Sequence, residues 1–248
     1  MGWRAFIILI AAVGVILLPE AALAQSLSFD FGGDETGSTS GRVLQLLALI
    51  TIVSLAPSIL VMMTSFTRIV VVLSLLRSAL GVQQTPPNAV IVSLALFLTA
   101  FIMMPTLEAI YDEAITPLVE ESITETDAIE RAAEPLRAFM LSQVRAHDLE
   151  LFLELTDSGE ELVAPEDTPL SALIPAFMIS ELRRAFEIGF LMFLPFIIID
   201  MTVAAVLMSM GMMMMPPIMI SLPFKLIFFV LVDGWYLVTG TLIKSYGG

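Results

Sequence analysis

The chain has 248 residues, of which 58% are hydrophobic, and its mean hydropathy is +0.94. Ordinary soluble domains are about 45–50% apolar, so this composition excludes a conventional water-soluble fold and predicts an all-α membrane protein. The absence of cysteine removes disulfides, thiolate metal sites and cysteine nucleophiles, and a net charge of −14 argues against nucleic acid as a partner.

Residues 1–24 read as a secretory signal peptide: MGWR is a basic start, AFIILIAAVGVILL an apolar core, and Ala22-Leu23-Ala24 a small-x-small end with cleavage expected after Ala24. The alternative is an uncleaved first span. Residues 25–41, polar and rich in Gly and Ser, predict a linker. The stretch RVLQLLALITIVSLAPSILVMM, 42–63, is long enough to cross a bilayer, and Pro57 predicts a kink late in it. The apolar run continues through TSFTRIVVVLSLLRSALG, interrupted by Arg68 and Arg77, and turns at GVQQTPPN. It resumes as a second apolar helix over 89–105, so that 42–105 predict a first helical hairpin.

Residues 106–170 carry 17 acidic side chains against three basic ones, Arg131, Arg137 and Arg145, which is the whole of the net charge. Solubility accounts for such a composition without any site. With the signal cleaved, the first span runs inward and the second outward, which makes 106–170 an extracytoplasmic helical insert. Residues 171–248 predict a second hairpin: one long apolar helix up to LMSM, a Met-Pro turn, and ISLPFKLIFFVLVDGWYLVTGTLIKSYGG. In that topology Arg68 and Arg77 fall in the inner loop, as positive-inside bias expects, whereas Arg183 and Arg184 fall on the opposite side. The misfit points to helices whose polar side chains face protein or water rather than lipid.

In SELRRAFE, Glu181 precedes Arg184 by three residues and Arg183 precedes Glu187 by four, both helix-neighbour spacings. Asp200 and Lys225 lie in apolar helices on either side of one turn. Each alone costs about 2.5–3.5 kcal/mol in lipid, so their opposite signs predict a buried charge pair; the alternative is that each snorkels separately. Nothing signals an enzyme, a cofactor or a metal. His147 is the sole histidine and sits in the acidic segment, and no phosphate-binding Gly-Lys loop exists. The densest feature is MSMGMMMMPP, 208–217, with six methionines in ten positions.

The stretches SFTRIVVVLSLLRSALGVQQTPPN, AFMISELRRAFEIGFLMFLPFIIIDMTVAAVLMSMGMMMMPP and ISLPFKLIFFVLVDGW closely resemble the FliP family of flagellar biosynthesis proteins, which includes homologous components of virulence type III secretion systems. The likeness runs from residue 43 to about 240; Ala89 stands where Gln is common, and the loop before SEL is slightly expanded. The signal peptide favours the flagellar branch. The resemblance implies a non-catalytic subunit of the flagellar type III protein export gate, in the bacterial inner membrane and the flagellar basal body. Its kinked helical hairpins would wind, as a homo-oligomer (a pentamer) with two smaller membrane proteins (FliQ-like and FliR-like), into a helical multi-subunit channel. Unfolded flagellar proteins would pass through the centre.

The resemblance also implies roles for single residues. A methionine gasket maps onto Met212, Met213 and Met214, with Met210 and Met215 adjacent. Methionine suits a pliable seal because its unbranched, polarizable side chain adapts to any partner. Gly211 lets the backbone leave helix geometry, and Pro216 and Pro217 stop the helix and stiffen the loop's base. Plain apolar filling of a hairpin and a thioether Cu(I) site are the competing accounts of this stretch. Self-association maps onto Phe139, Phe152 and Glu181, with local helix packing the alternative for the two phenylalanines. Three other functions compete: a virulence secretion homologue, a scaffold lining no pore, and a secondary transporter using Asp200 and Lys225 as an ion relay. The transporter class expects internal repeats, and none relates 43–105 to 171–245.

Overall fold

The structure is a computed structural model that describes residues 46–47, 50–51, 54–55, 58–59, 61–82, 85–155, 168–212 and 216–247. The signal peptide, the linker, the Pro57 kink, the acidic loop 156–167 and Met213, Met214 and Met215 lie outside these residues. The chain divides into two units, Met1–Val61 and Met62–Gly248. In the first, the hydroxyls of Thr51 and Ser54 donate back to the carbonyls of Leu47 and Ile50 at 2.8 and 2.7 Å, the local way a helix satisfies a hydroxyl without water.

In the second unit every regular element among the described residues is helical. The order is α1 (Phe66–Leu80), α2 (Asn88–Ile110), a π-helical turn (Tyr111–Ile115), α3 (Thr116–Val119), α4 (Glu125–Gln143), α5 (Ala146–Leu155), α6 (Leu170–Ser209), α7 (Pro217–Leu231) and α8 (Gly234–Gly247). Helix α1, which the sequence leaves as an apolar continuation, is the centre of the core. It buries Ile69, Val72, Leu73, Leu76, Ala79 and Leu80, a stripe at three- and four-residue spacing. The second apolar helix does not stop at Pro105: it runs on to Ile110 and, through the π turn, to Val119. In apolar surroundings the helix remains the only conformation that satisfies most backbone groups, which is why interior prolines are tolerated there.

Helix α6 has 40 residues and contains Pro175 and Pro195. At 1.5 Å per residue it is about 60 Å long, twice the roughly 30 Å of a hydrocarbon core, so part of it stands outside any bilayer it crosses. Its two halves differ accordingly. The first half packs Leu173 and Phe177 against Met140 of α4, with Phe139 and Leu149 alongside. The second half leaves Phe190, Leu191, Ile198 and Met201 more than 60% exposed. Within the segment 106–170, α4 and α5 are separated at Val144, whose backbone is extended. Helix α4 opens on a capping box in which Thr124 and Asp127 bond reciprocally. The Thr124 hydroxyl, donating at 2.8 Å, holds the Asp127 carboxyl below the usual carboxylate range.

Helices α1 and α6 are in close contact at Gly189. A Cβ built there would lie 2.3 Å from Leu75 Cδ1 and 3.3 Å from Leu75 Cβ. Gly189→Leu is therefore expected to overpack this crossing and destabilise the chain by about 1–3 kcal/mol, read as a lower melting temperature in detergent.

Candidate functional site

Among the described residues, two polar clusters centred on buried basic side chains interrupt the apolar core, and both are assembled by residues far apart in the chain. The first surrounds Arg68 of α1, whose side chain has no exposed surface. Its Nε donates to Glu181 Oε2 at 2.9 Å and its Nη2 to Glu181 Oε1, a two-pronged pair across α1 and α6. Its Nη1 reaches the Ser245 hydroxyl at 3.0 Å and the Ser245 carbonyl at 3.2 Å. Its Nη2 also reaches Gln143 Oε1 at 3.3 Å. The guanidinium lies 3.7 Å above the Tyr246 ring, whose single hydroxyl proton is donated to Glu181 Oε2, with the Ser65 carbonyl a second acceptor 3.3 Å away. Arg184 completes the group by donating to Gln143 Oε1 at 3.0 Å.

The local spacing in SELRRAFE explains only half of this. Arg183 does pair with Glu187, at 3.0 Å on the exposed face. Glu181, however, turns away from Arg184 to Arg68, and Arg184 goes to Gln143. Arg68 therefore does not sit in a solvated inner loop. A guanidinium inside an apolar helix must find a carboxylate or pay a large desolvation penalty, and Glu181 is the acidic side chain buried beside it. Arg77 also has a local job, donating to Asn88 Oδ1 at 2.5 Å and to the Pro86 carbonyl at 3.3 Å across the α1–α2 turn.

The second cluster joins α6, α7 and α1. Lys225 Nζ lies 2.6 Å from Asp200 Oδ2 and donates to the Ala79 carbonyl at 3.1 Å. Ser221 donates to Asp200 Oδ1 at 2.5 Å. Ala79 is in the last turn of α1, so the ammonium also meets the negative end of that helix. The pair is lopsided: the Lys225 side chain is 5% exposed and that of Asp200 38%.

Nine residues beyond Asp200, α6 ends at Ser209 in a Schellman turn. Gly211 takes a left-handed φ of +74°, its N–H donates to the Met208 carbonyl, and the Met212 N–H donates to the Leu207 carbonyl, both at 3.1 Å. Met208 and Met210 are more than 60% exposed and Met212 is 41% exposed, so the thioethers project from the chain. Pro216 precedes α7 and Pro217 opens it, where the missing N–H costs nothing. The turn and its brace are thus separate parts of one hairpin.

The residues mapped to self-association are placed differently from one another. Phe139 is half-buried, edge-on to Phe177 at 5.9 Å and stacked on Tyr246 at 6.0 Å, within one chain. Phe152 is half-buried on α5. Glu181 has no exposed surface. Sequence reasoning missed Arg68, Gln143, Ser245 and Tyr246 as one group; the signal available was an unexplained arginine in TRIVVVLSLL. Among the described residues no three His, Asp or Glu side chains gather to hold a metal ion.

Two helical segments, Asn88–Val119 and Leu170–Ser209, are long and apolar enough to cross a bilayer, and α7 with α8 forms a further pair bent by 63°. With Arg68 and Lys225 paired inside and many large apolar side chains exposed, the described residues have the make-up of a helical membrane protein with two to three helices able to cross a bilayer. A sequence model of the FliP family matches residues 49–242. The chain is 57% identical over 242 residues to the flagellar biosynthetic protein FliP of Caulobacter vibrioides, covering 98% of this chain and 90% of that one. It is 52% identical over 218 residues to that of Bacillus subtilis, covering 87% and 97%, and 46% identical over 236 residues to that of Rhizobium meliloti, covering 94% and 96%. The chain belongs to the FliP family.

Proposed function

We propose that this chain is a non-catalytic subunit of the flagellar type III protein export gate in the bacterial inner membrane. Several copies, five in the arrangement favoured here, bring their α6–α7 turns together on a shared axis. Two smaller membrane proteins complete the channel, and unfolded flagellar proteins pass through it. The observation that carries the reading is the Schellman turn: a long apolar helix ends by projecting methionines, on a hairpin fixed behind by the Lys225–Asp200 pair. Thioether side chains seal against each other and against any sequence without strong specific contacts, which is what a gate for unfolded chains requires.

Gly211 and Pro216–Pro217 bound the methionine loop, the first letting the backbone leave the helix and the prolines stiffening its base. Phe139 and Glu181 support self-association from within, by fixing the surface that α4 and α6 present to a neighbouring copy. The acidic stretch 106–170 lies on the extracytoplasmic side. A small-solute transporter is disfavoured, because Asp200 and Lys225 close on each other and on Ser221 and Ala79 rather than forming part of a chain of spaced ionisable groups among the described residues. The flagellar names of the relatives also set aside a virulence homologue.

The test is deletion of Met212 to Met214. Assembly is expected to survive and the membrane to become leaky to small ions, measured as conductance in cells or bilayers. Unchanged conductance with normal secretion would remove the gasket.

A further inference from the structure

A cavity of about 230 Å³ lies between α1, α2 and the start of α8. Leu76 and Leu80 wall one side, Ile91 and Leu94 the other, and Trp235 closes the end. Its one charged lining residue among the described residues is Arg77. Apolar cavities of about 150 Å³ already admit a benzene-sized guest, so this one is large enough for several methylene groups. Val90 and Trp235 on its rim are 51% and 43% exposed, so it opens outward.

Depth decides what reaches it. Asn88 is the first residue of the apolar segment Asn88–Val119, and a bilayer surface at that end of the span would put Asn88 and its neighbour Arg77 at headgroup level. Ile91 and Leu94 lie three and six residues further in, about 4.5 and 9 Å at 1.5 Å per residue. A guanidinium at headgroup level over an apolar slot at methylene level, flanked by a tryptophan, is complementary to one amphiphile: a phospholipid with an anionic headgroup. The Arg77 donors are also partly free. Nη1 is spent on Asn88 and Pro86, while Nε and Nη2 bond no acceptor among the described residues.

We propose that this cavity is an anionic-lipid site, in which an acyl chain enters between α1 and α2 and its phosphate accepts from Arg77 Nε and Nη2. The site rests on α2 as a membrane span and is independent of the export-gate reading. Anionic phospholipid bound there would wedge the α1–α2 turn and fix α8 against it through Trp235.

The chain has two tryptophans, Trp3 and Trp235, so a Trp3→Phe variant of the full chain reports on Trp235 alone. In vesicles with a small fraction of phospholipid brominated in the upper half of its chains, brominated phosphatidylglycerol is expected to quench Trp235 with about fivefold higher apparent affinity than brominated phosphatidylcholine, the worth of one basic side chain near a lipid phosphate. Arg77→Gln is expected to abolish the preference and Arg77→Lys to keep most of it. Equal quenching by the two lipids in the parent chain overturns the proposal without reliance on any variant. So does a preference that survives Arg77→Gln. Relief of quenching by inorganic phosphate would make the site a plain anion site, and loss of quenching on self-association would assign the cavity to a second copy; either result also overturns it.

Discussion

Glu181→Ala is expected to lower the melting temperature of the detergent-solubilised chain by on the order of 10 °C, the largest effect of any single substitution considered. Removing one member of a buried ion pair costs about 3–5 kcal/mol, because the remaining charge keeps its desolvation penalty and loses its partner. For a chain of this size each kcal/mol moves the melting temperature by about 2–4 °C. Here the loss is compounded. Arg68 is fully buried, and Glu181 also accepts from the Tyr246 hydroxyl, so one deletion removes the carboxylate partner of two side chains on two other helices and leaves the guanidinium only neutral acceptors. The double variant Arg68→Met/Glu181→Leu is expected to melt above Glu181→Ala alone, since an apolar pair removes the uncompensated charge. A Glu181→Ala protein that melts within a degree of the parent would show that the Arg68 cluster does not hold α1, α6 and α8 together.

The second large effect is an asymmetry. Asp200→Ala leaves the Lys225 ammonium buried with only the Ala79 carbonyl for company, whereas Lys225→Ala leaves a carboxylate that is more than a third exposed and already bonded by Ser221. Asp200→Ala is therefore expected to be the more damaging of the two, in stability and in export. The double change is expected to cost less than the sum of the singles, with a coupling of about 0.5–3 kcal/mol. Equal single effects with full additivity would mean that the pair does not form in the membrane.

How far the sequence carried depended on how local each feature is. The run from LSALIP to LMSM reads as one helix because nothing polar enough to break it intervenes, and α6 is continuous over that run. Gly211 before Pro216 and Pro217 reads as a stop because glycine alone takes a left-handed φ without strain and proline cannot continue a helix. Asp200 and Lys225 could be read as a pair because one turn separates their helices and each is expensive alone. Glu181 could not be assigned from spacing: its partner Arg68 lies 113 residues away, while the three-residue rule pointed to Arg184. Tyr246 and Gln143 carried no pattern, since their roles exist only once four helices meet. Pro105 misled in the opposite direction, because a rule learned in water overstates what proline does inside an apolar helix.

The placement of the methionine turns at a common axis is best tested by chemistry that the chain otherwise lacks. It has no cysteine, so a Met212→Cys variant carries a single thiol at the exposed end of the α6–α7 turn. In complexes isolated from native membrane, mild oxidation is expected to join these thiols into disulfide-linked dimers of the chain, with ion conductance changing as they form. Met212 thiols that never cross-link, yet react fully with a lipid-soluble reagent, would place the turns outward in the bilayer and contradict the account.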